Sequence, residues 1–157
     1  MLFPLPFHFE TAHEPVLLRN GSWCPFNSQN TTTFQCVFPL LYLPAKCSFR
    51  MTYIWRSFVT QRVLQAMDLG ILYQGPTVWQ ERNDHDLQRD FIDELPGYEN
   101  NERMREELAA LPLKIGDSLQ SMMESCYQTL IRNGWVGSDE ESLLRAWFDD
   151  IRVLGQM

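Results

Sequence analysis

The chain has 157 residues, 45% hydrophobic and 21% charged, enough for one globular domain with a real core and hardly enough for two. Five tryptophans and 13% aromatic residues exclude a disordered chain, because segments that cannot bury surface are poor in aromatics. A net charge of −7 lacks the cationic face a duplex nucleic-acid binder needs, so no nucleic-acid partner is expected.

The charge is uneven. Residues 1–78 carry five basic and three acidic side chains, residues 79–157 eight and seventeen. No apolar run reaches the length of a membrane span, and Met1–Pro6 has neither the basic start nor the cleavage site of a signal peptide. The four cysteines, Cys24, Cys36, Cys47 and Cys126, match no CxxC zinc or redox pattern, which leaves buried thiols and disulfides both open. Two sequons, at Asn20 and Asn30, would matter only in a secretory lumen.

Residues 1–50 hold six of the nine prolines and little helical periodicity, which predicts loops and extended chain. Phe34–Tyr42 is the candidate strand, closed by Pro44. From Met51 to Met67 there is no Gly or Pro, and Met51, Ile54, Trp55 and Phe58 recur at helical spacing, predicting a mostly buried helix ending near Gly70 with Arg50, Ser57 and Gln61 on one flank. Ile71–Gln74 and Thr77–Gln80 read as two short strands separated by Gly75-Pro76.

The second half reads as helices. Leu87, Phe91 and Leu95 at four-residue spacing predict a core stripe on a helix over about 84–95, with Asp84 as N-cap and Pro96-Gly97 as its end. A short acidic helix is expected from Asn101 to Ala110. Asp117 with Gln120 and Ser138 with Glu141 resemble capping boxes. They precede one stripe of Leu119, Met122, Met123, Cys126 and Leu130, and another of Leu143, Leu144, Trp147, Phe148 and Ile151.

Two polar clusters could carry chemistry. Asn27-Ser28-Gln29-Asn30-Thr31 supplies amide donors and acceptors suited to sugar hydroxyls or a base, or equally suited to satisfying the loop's own backbone. Gln80-Glu81-Arg82-Asn83-Asp84-His85-Asp86 contains a DxD able to bind a divalent metal, while its carboxylates also suit a helix start. Arg50 and Arg56 have the fork that fits a diphosphate, or an ion pair. GxSxG, HExxH, P-loop and GxGxxG motifs are all absent from the sequence.

The strings Trp23-Cys24-Pro25-Phe26-Asn27-Ser28-Gln29-Asn30-Thr31, Leu41-Tyr42-Leu43-Pro44, Ser48-Phe49-Arg50 with Ile54-Trp55-Arg56 and Gln61, Gly75-Pro76-Thr77-Val78, and Gln80 through His85 with Asp90-Phe91 resemble the STELLO-type glycosyltransferases. They follow the family's order over residues 3–95, and the later helices carry no assigned motif. Tyr53 stands where the family has an acidic residue. The resemblance implies an α/β fold, mainly helical in its second half, as part of a nucleotide-diphospho-sugar transferase-like (GT-A) domain. It further implies a nucleotide-sugar donor, a glycan acceptor, a divalent metal (manganese or magnesium), a Golgi location and, in plants, a membrane protein complex with cellulose synthase.

Carried onto these positions, Asp86 or Asp90 is the candidate base and His85 the metal ligand. Asn27, Gln29 and Asn30 become sugar or acceptor contacts, Arg50, Arg56 and Arg82 phosphate partners, and Gln61, Gln80 and Asn83 further substrate contacts. The family's donor-binding half has no counterpart in the sequence, so the chain is expected to be the acceptor-side part of such a domain, 1–83 loop- and strand-rich and 84–157 helical, and not to turn over substrate alone. A noncatalytic interaction or trafficking module is the competing reading. On either, the polar clusters are expected to line one concavity.

Overall fold

A computed structural model describes residues 14–155 apart from 20, 80, 82, 83 and 85. Its centre is α1, Met51–Ala66, which is buried on nearly every side, including Trp55, Phe58, Val59, Val63 and Leu64. A helix apolar around most of its circumference must be surrounded. Helices α2 (Leu87–Ala109) and α3 (Leu119–Arg132) pack on it, α4 (Glu140–Val153) packs on α3, and a 3-10 helix over Gln35–Leu41 contacts α1, α3 and α4.

Strand content among the described residues is one antiparallel ribbon of β1 (Val16–Leu18) and β2 (Ile71–Tyr73), in register Val16 to Tyr73, Leu17 to Leu72 and Leu18 to Ile71. The chain is therefore a mixed, mainly helical fold with a small two-stranded sheet. Thr77–Trp79 forms no strand.

The candidate strand at 34–42 is instead the 3-10 helix. Val37 and Leu40, three residues apart, are both buried, which is the spacing that brings side chains into line at three residues per turn. Pro39 cannot donate to a sheet ladder, and Val37 breaks the helical run with φ −122° and ψ 17°.

Helix α2 is a single helix that passes through Pro96-Gly97, so neither the expected stop there nor a separate helix from Asn101 is found. An internal proline costs about 3 kcal/mol in a helix, and tertiary contacts around it offset this. Gly97 is buried, and a Cβ there would lie 2.5 Å from Met51 Sδ, so any larger residue at this crossing of α2 and α1 would require the Met51 side chain to move. Beyond it, Asn101 accepts from Trp55 Nε1 at 3.0 Å, Asn100 accepts from Trp135 Nε1 at 3.0 Å, and Met104 and Leu108 are fully buried. Arg62 then closes the end of α2, its Nε donating to Leu108 O at 2.9 Å and its Nη2 to Leu111 O at 2.6 Å.

The expected core stripe on the first turns of α2 is exposed: Leu87 by 70%, Phe91 by 57% and Leu95 by 36%. Periodicity says which side chains share a face. Among the described residues no element covers that face ahead of the Gly97 crossing. In α3 and α4 the stripes are covered, with Met122, Met123, Cys126, Leu130, Leu144, Phe148 and Ile151 buried, although Leu143 stays exposed and Trp147 is half-buried. The cap of α3 is Ser118, which accepts from Ser121 N at 3.1 Å, while Asp117 accepts from Lys114 N at 2.8 Å. Asp139, without a side-chain cap bond, precedes α4.

Candidate functional site

Chain 22–26 runs along α1 and β2 on four side-chain bonds. Cys24 N donates to Gln61 Oε1 at 2.7 Å and Phe26 N to Ser57 Oγ at 3.2 Å, while Tyr73 OH donates to Cys24 O at 2.8 Å and Gln65 Nε2 to Ser22 O at 3.1 Å. Gln61, an expected substrate contact, is only 3% exposed. Its Nε2 donates to Ser57 O at 3.1 Å, so both ends of its amide hold protein backbone.

The loop that follows bonds to itself. Asn27 Oδ1 accepts from Gln29 N at 3.0 Å, Asn27 Nδ2 donates to Gln29 Oε1 at 3.2 Å, and Thr31 Oγ1 donates to Asn27 O at 2.8 Å. This is the turn geometry that Asn favours. Asn27, Gln29 and Asn30 nevertheless remain exposed. Asn30 Oδ1 accepts from Thr77 Oγ1 at 3.2 Å, which joins this loop to the segment leading into the second cluster.

Of that second cluster, Gln80, Arg82, Asn83 and His85 lie outside the described residues. Asp86, rather than Asp84, is the N-cap of α2, its Oδ1 accepting from Gln88 N and Arg89 N at 3.1 Å each. One turn on, Asp90 forms an ion pair with Arg50, so the candidate base and a candidate phosphate partner meet each other. Ser48 Oγ donates to Asp93 O at 2.6 Å and anchors the same turn on α2. The structure thus brings Arg50, Asp86 and Asp90 to the start of α2 and brings Asn30 to Thr77. Among the described residues no group of three His, Cys, Asp or Glu side chains converges to hold a metal ion.

Arg56 is placed differently from Arg50. It is 3% exposed on α1, and its guanidinium carbon lies 5.5 Å from the centroid of the Phe26 ring. Its Nε and Nη2 are buried with no hydrogen-bond partner among the described residues, and the Tyr127 hydroxyl on α3 is in the same state. Burial pulls the Arg56 pKa below its ordinary value, opposed by the nearby phenols of Tyr127 and Tyr53. Burial raises the Tyr127 pKa well above its ordinary value, and Tyr42 and Glu140 raise it further.

Glu140 was legible in sequence only as an acid at a helix start. It is fully buried, with Oε1 accepting from Tyr42 OH and from Ala45 N at 3.1 Å, and Oε2 from Lys46 N at 2.8 Å. It therefore clamps the chain between the 3-10 helix and α1. Burial pushes the Cys47 thiol up to about 11, with Glu140 adding to the shift and the Thr52 hydrogen bond opposing it. Cys24, Cys36, Cys47 and Cys126 are all free thiols.

A cleft of about 650 Å³ is lined by Phe34, Gln35, Cys36, Pro39, Leu119, Gln120, Phe148 and Gly155, and a smaller cavity by residues of α3 and α4. Neither contains an expected site residue, and the larger has no acid or base on its wall. No helix among the described residues is long and apolar enough to cross a membrane. No curated protein and no solved structure gives a significant match to the sequence. The family model of the STELLO glycosyltransferases matches residues 50–157, taking in α3 and α4 but not the 23–31 block. The chain belongs to the STELLO glycosyltransferase family.

Proposed function

We propose that the chain is the acceptor-side part of a GT-A glycosyltransferase domain whose parent protein, in the Golgi, transfers a sugar from a nucleotide-sugar donor to a hydroxyl of a glycan acceptor. The observation that carries this reading is the family match over 50–157, which begins at the Arg50 turn and includes Asp86 and the Asp90 carboxylate that pairs with Arg50.

On this reading Asp90, or Asp86 through the carboxylate oxygen its cap bonds leave, takes the proton from the acceptor hydroxyl as the new bond forms. Arg50 orients Asp90, and Arg56 with Arg82 neutralises the leaving diphosphate. The exposed amides of Asn27, Gln29 and Asn30, with Gln80 and Asn83, bind sugar hydroxyls, while Gln61 supports the loop that presents them. A divalent ion near His85 would supply further positive charge to the diphosphate. The donor-binding half is contributed by sequence other than these residues.

A second reading, a noncatalytic interaction module, is favoured by the work Asp86 and Asp90 already do as a cap and as an ion-pair partner. Incubating the folded chain, checked by cooperative thermal unfolding, with nucleotide sugars and manganese and measuring nucleotide release tests both. The proposal expects background release from the chain alone. It expects release in the parent domain that falls at least about 100-fold in the Asp86→Asn, Asp90→Asn double variant. Undiminished release in that variant would overturn the roles given to these carboxylates, and no release from the folded parent domain would favour the noncatalytic module.

A further inference from the structure

We propose that the edge of the Arg56 guanidinium carrying Nε and Nη2, together with the hydroxyl of Tyr127, is an oxyanion-binding site that takes a phosphate group. This rests on the reading above only in naming a phosphate-bearing ligand. The site itself follows from the geometry.

Nε–H and Nη2–H are the parallel pair of donors on one edge of the guanidinium, the fork that takes a carboxylate or phosphate in two hydrogen bonds. In Arg56 both are buried and both lack a partner. Phe26 lies against the guanidinium as a cation–π contact, which contributes attraction but accepts no conventional hydrogen bond. A buried guanidinium without an anion is among the least favourable groups a fold can carry. The only other buried side-chain polar atom without a partner among the described residues is Tyr127 Oη, on a side chain close enough to act electrostatically on Arg56.

Three unsatisfied donors on two neighbouring side chains of α1 and α3 therefore share one deficit, an acceptor with several lone pairs. A tetrahedral phosphate meets it, taking two bonds from Arg56 and one from the neutral Tyr127 phenol. Arg62 illustrates the contrast, since its guanidinium is matched to two carbonyls at the end of α2. Phe26, whose ring lies on the guanidinium, is held to α1 by its backbone N–H donating to Ser57 Oγ.

The test uses the full chain with inorganic pyrophosphate and with a nucleoside diphosphate, by titration calorimetry and thermal unfolding against sodium chloride at matched ionic strength. The expected result is saturable one-to-one binding and a rise in melting temperature of several degrees. Tyr127→Phe, which removes a hydroxyl with no partner, should fold as well as the parent and bind several-fold more weakly. Arg56→Lys, which keeps the charge but not the fork, should bind at least tenfold more weakly. Arg56→Met should melt at or above the temperature of the anion-free parent and lose the response.

Binding that Arg56→Met retains, or a shift that chloride reproduces, would mean an adventitious ion only and overturn the proposal. Absence of pyrophosphate and nucleotide binding by the folded parent would overturn it as well. Tighter binding of the nucleoside diphosphate than of pyrophosphate identifies a nucleotide as the source of the phosphate, and equal affinities a free oxyanion. None of these readouts is sugar transfer, so transfer can fail while the site stands, and the reverse.

Discussion

Glu140 and Arg56 are both charged residues sealed inside the same helical packing, and they have opposite surroundings. The Glu140 carboxylate receives a phenol and the backbone N–H groups of Ala45 and Lys46. The Arg56 fork receives nothing from the described residues. A buried charge whose hydrogen-bond capacity is filled is a fastener, because removing it strands its partners as well as itself. A buried charge with open capacity contributes little to the fold that holds it, and its presence calls for an explanation outside the fold. The comparison separates a residue kept for structure from one available for a ligand more sharply than exposure does, since both are nearly fully buried.

The largest loss is expected for Glu140→Ala, which leaves Tyr42 OH and two backbone N–H groups without an acceptor. A loss of about 3 kcal/mol or more is expected in urea unfolding. A loss under about 1 kcal/mol would mean that the 42–47 turn rebuilds its bonds and that Glu140 is no fastener.

Alkaline titration probes the uncharged groups of the same interior. Burial pushes the Cys126 thiol up to about 12, while an unfolded thiol ionises at about 8.5. Below that pH the contribution to stability is complete. As pH rises the unfolded chain loses its proton first, so stability falls through the interval up to the folded value, with Cys47, at about 11, adding to the same decline. Unfolding midpoints measured from pH 8 to pH 11 should drop steadily, and Cys126→Ala, though less stable at neutral pH, should show a shallower drop. An unchanged slope in that variant would remove Cys126 from the account.

Gln61→Ala asks whether an expected substrate contact belongs with Glu140. It strands Cys24 N in a part-buried site, and a loss of about 1–3 kcal/mol is expected. The Asn27–Thr31 loop should also become more susceptible to proteolysis. Full stability would return Gln61 to the list of ligand contacts. The smallest effect is expected for Phe91→Ser, within about 0.5 kcal/mol, because its ring is 57% exposed and its described ring contact is with Tyr98 on the same helix. A loss of about 2 kcal/mol or more would show that the first turns of α2 are covered in solution.

At the candidate site the sequence left two readings of each polar cluster, and local chemistry could not choose between them. The same Asn27 amide can bind a sugar or close its own turn, and the same Asp86 carboxylate can take a proton or cap a helix. The contacts at 27–31 and 86–89 supply the local roles. The meeting of Arg50 with Asp90 spans forty residues of chain, and nothing local encodes it.

Local patterns by themselves determined where α1, α3 and α4 lie and which of their residues face inward, because helical periodicity is written into adjacent turns. Only tertiary structure decided which stripes are covered. The same apolar spacing is buried at Met122, Cys126 and Leu130 and open to water at Leu87, Phe91 and Leu95. Only the approach of α1 turned Pro96-Gly97 from an expected stop into a crossing point, where the Met51 side chain fills the space beside Gly97. Burial of Arg56 and Glu140 was equally beyond the sequence, for whether a charge is sealed, and whether anything inside answers it, depends on neighbours that arrive from distant parts of the chain.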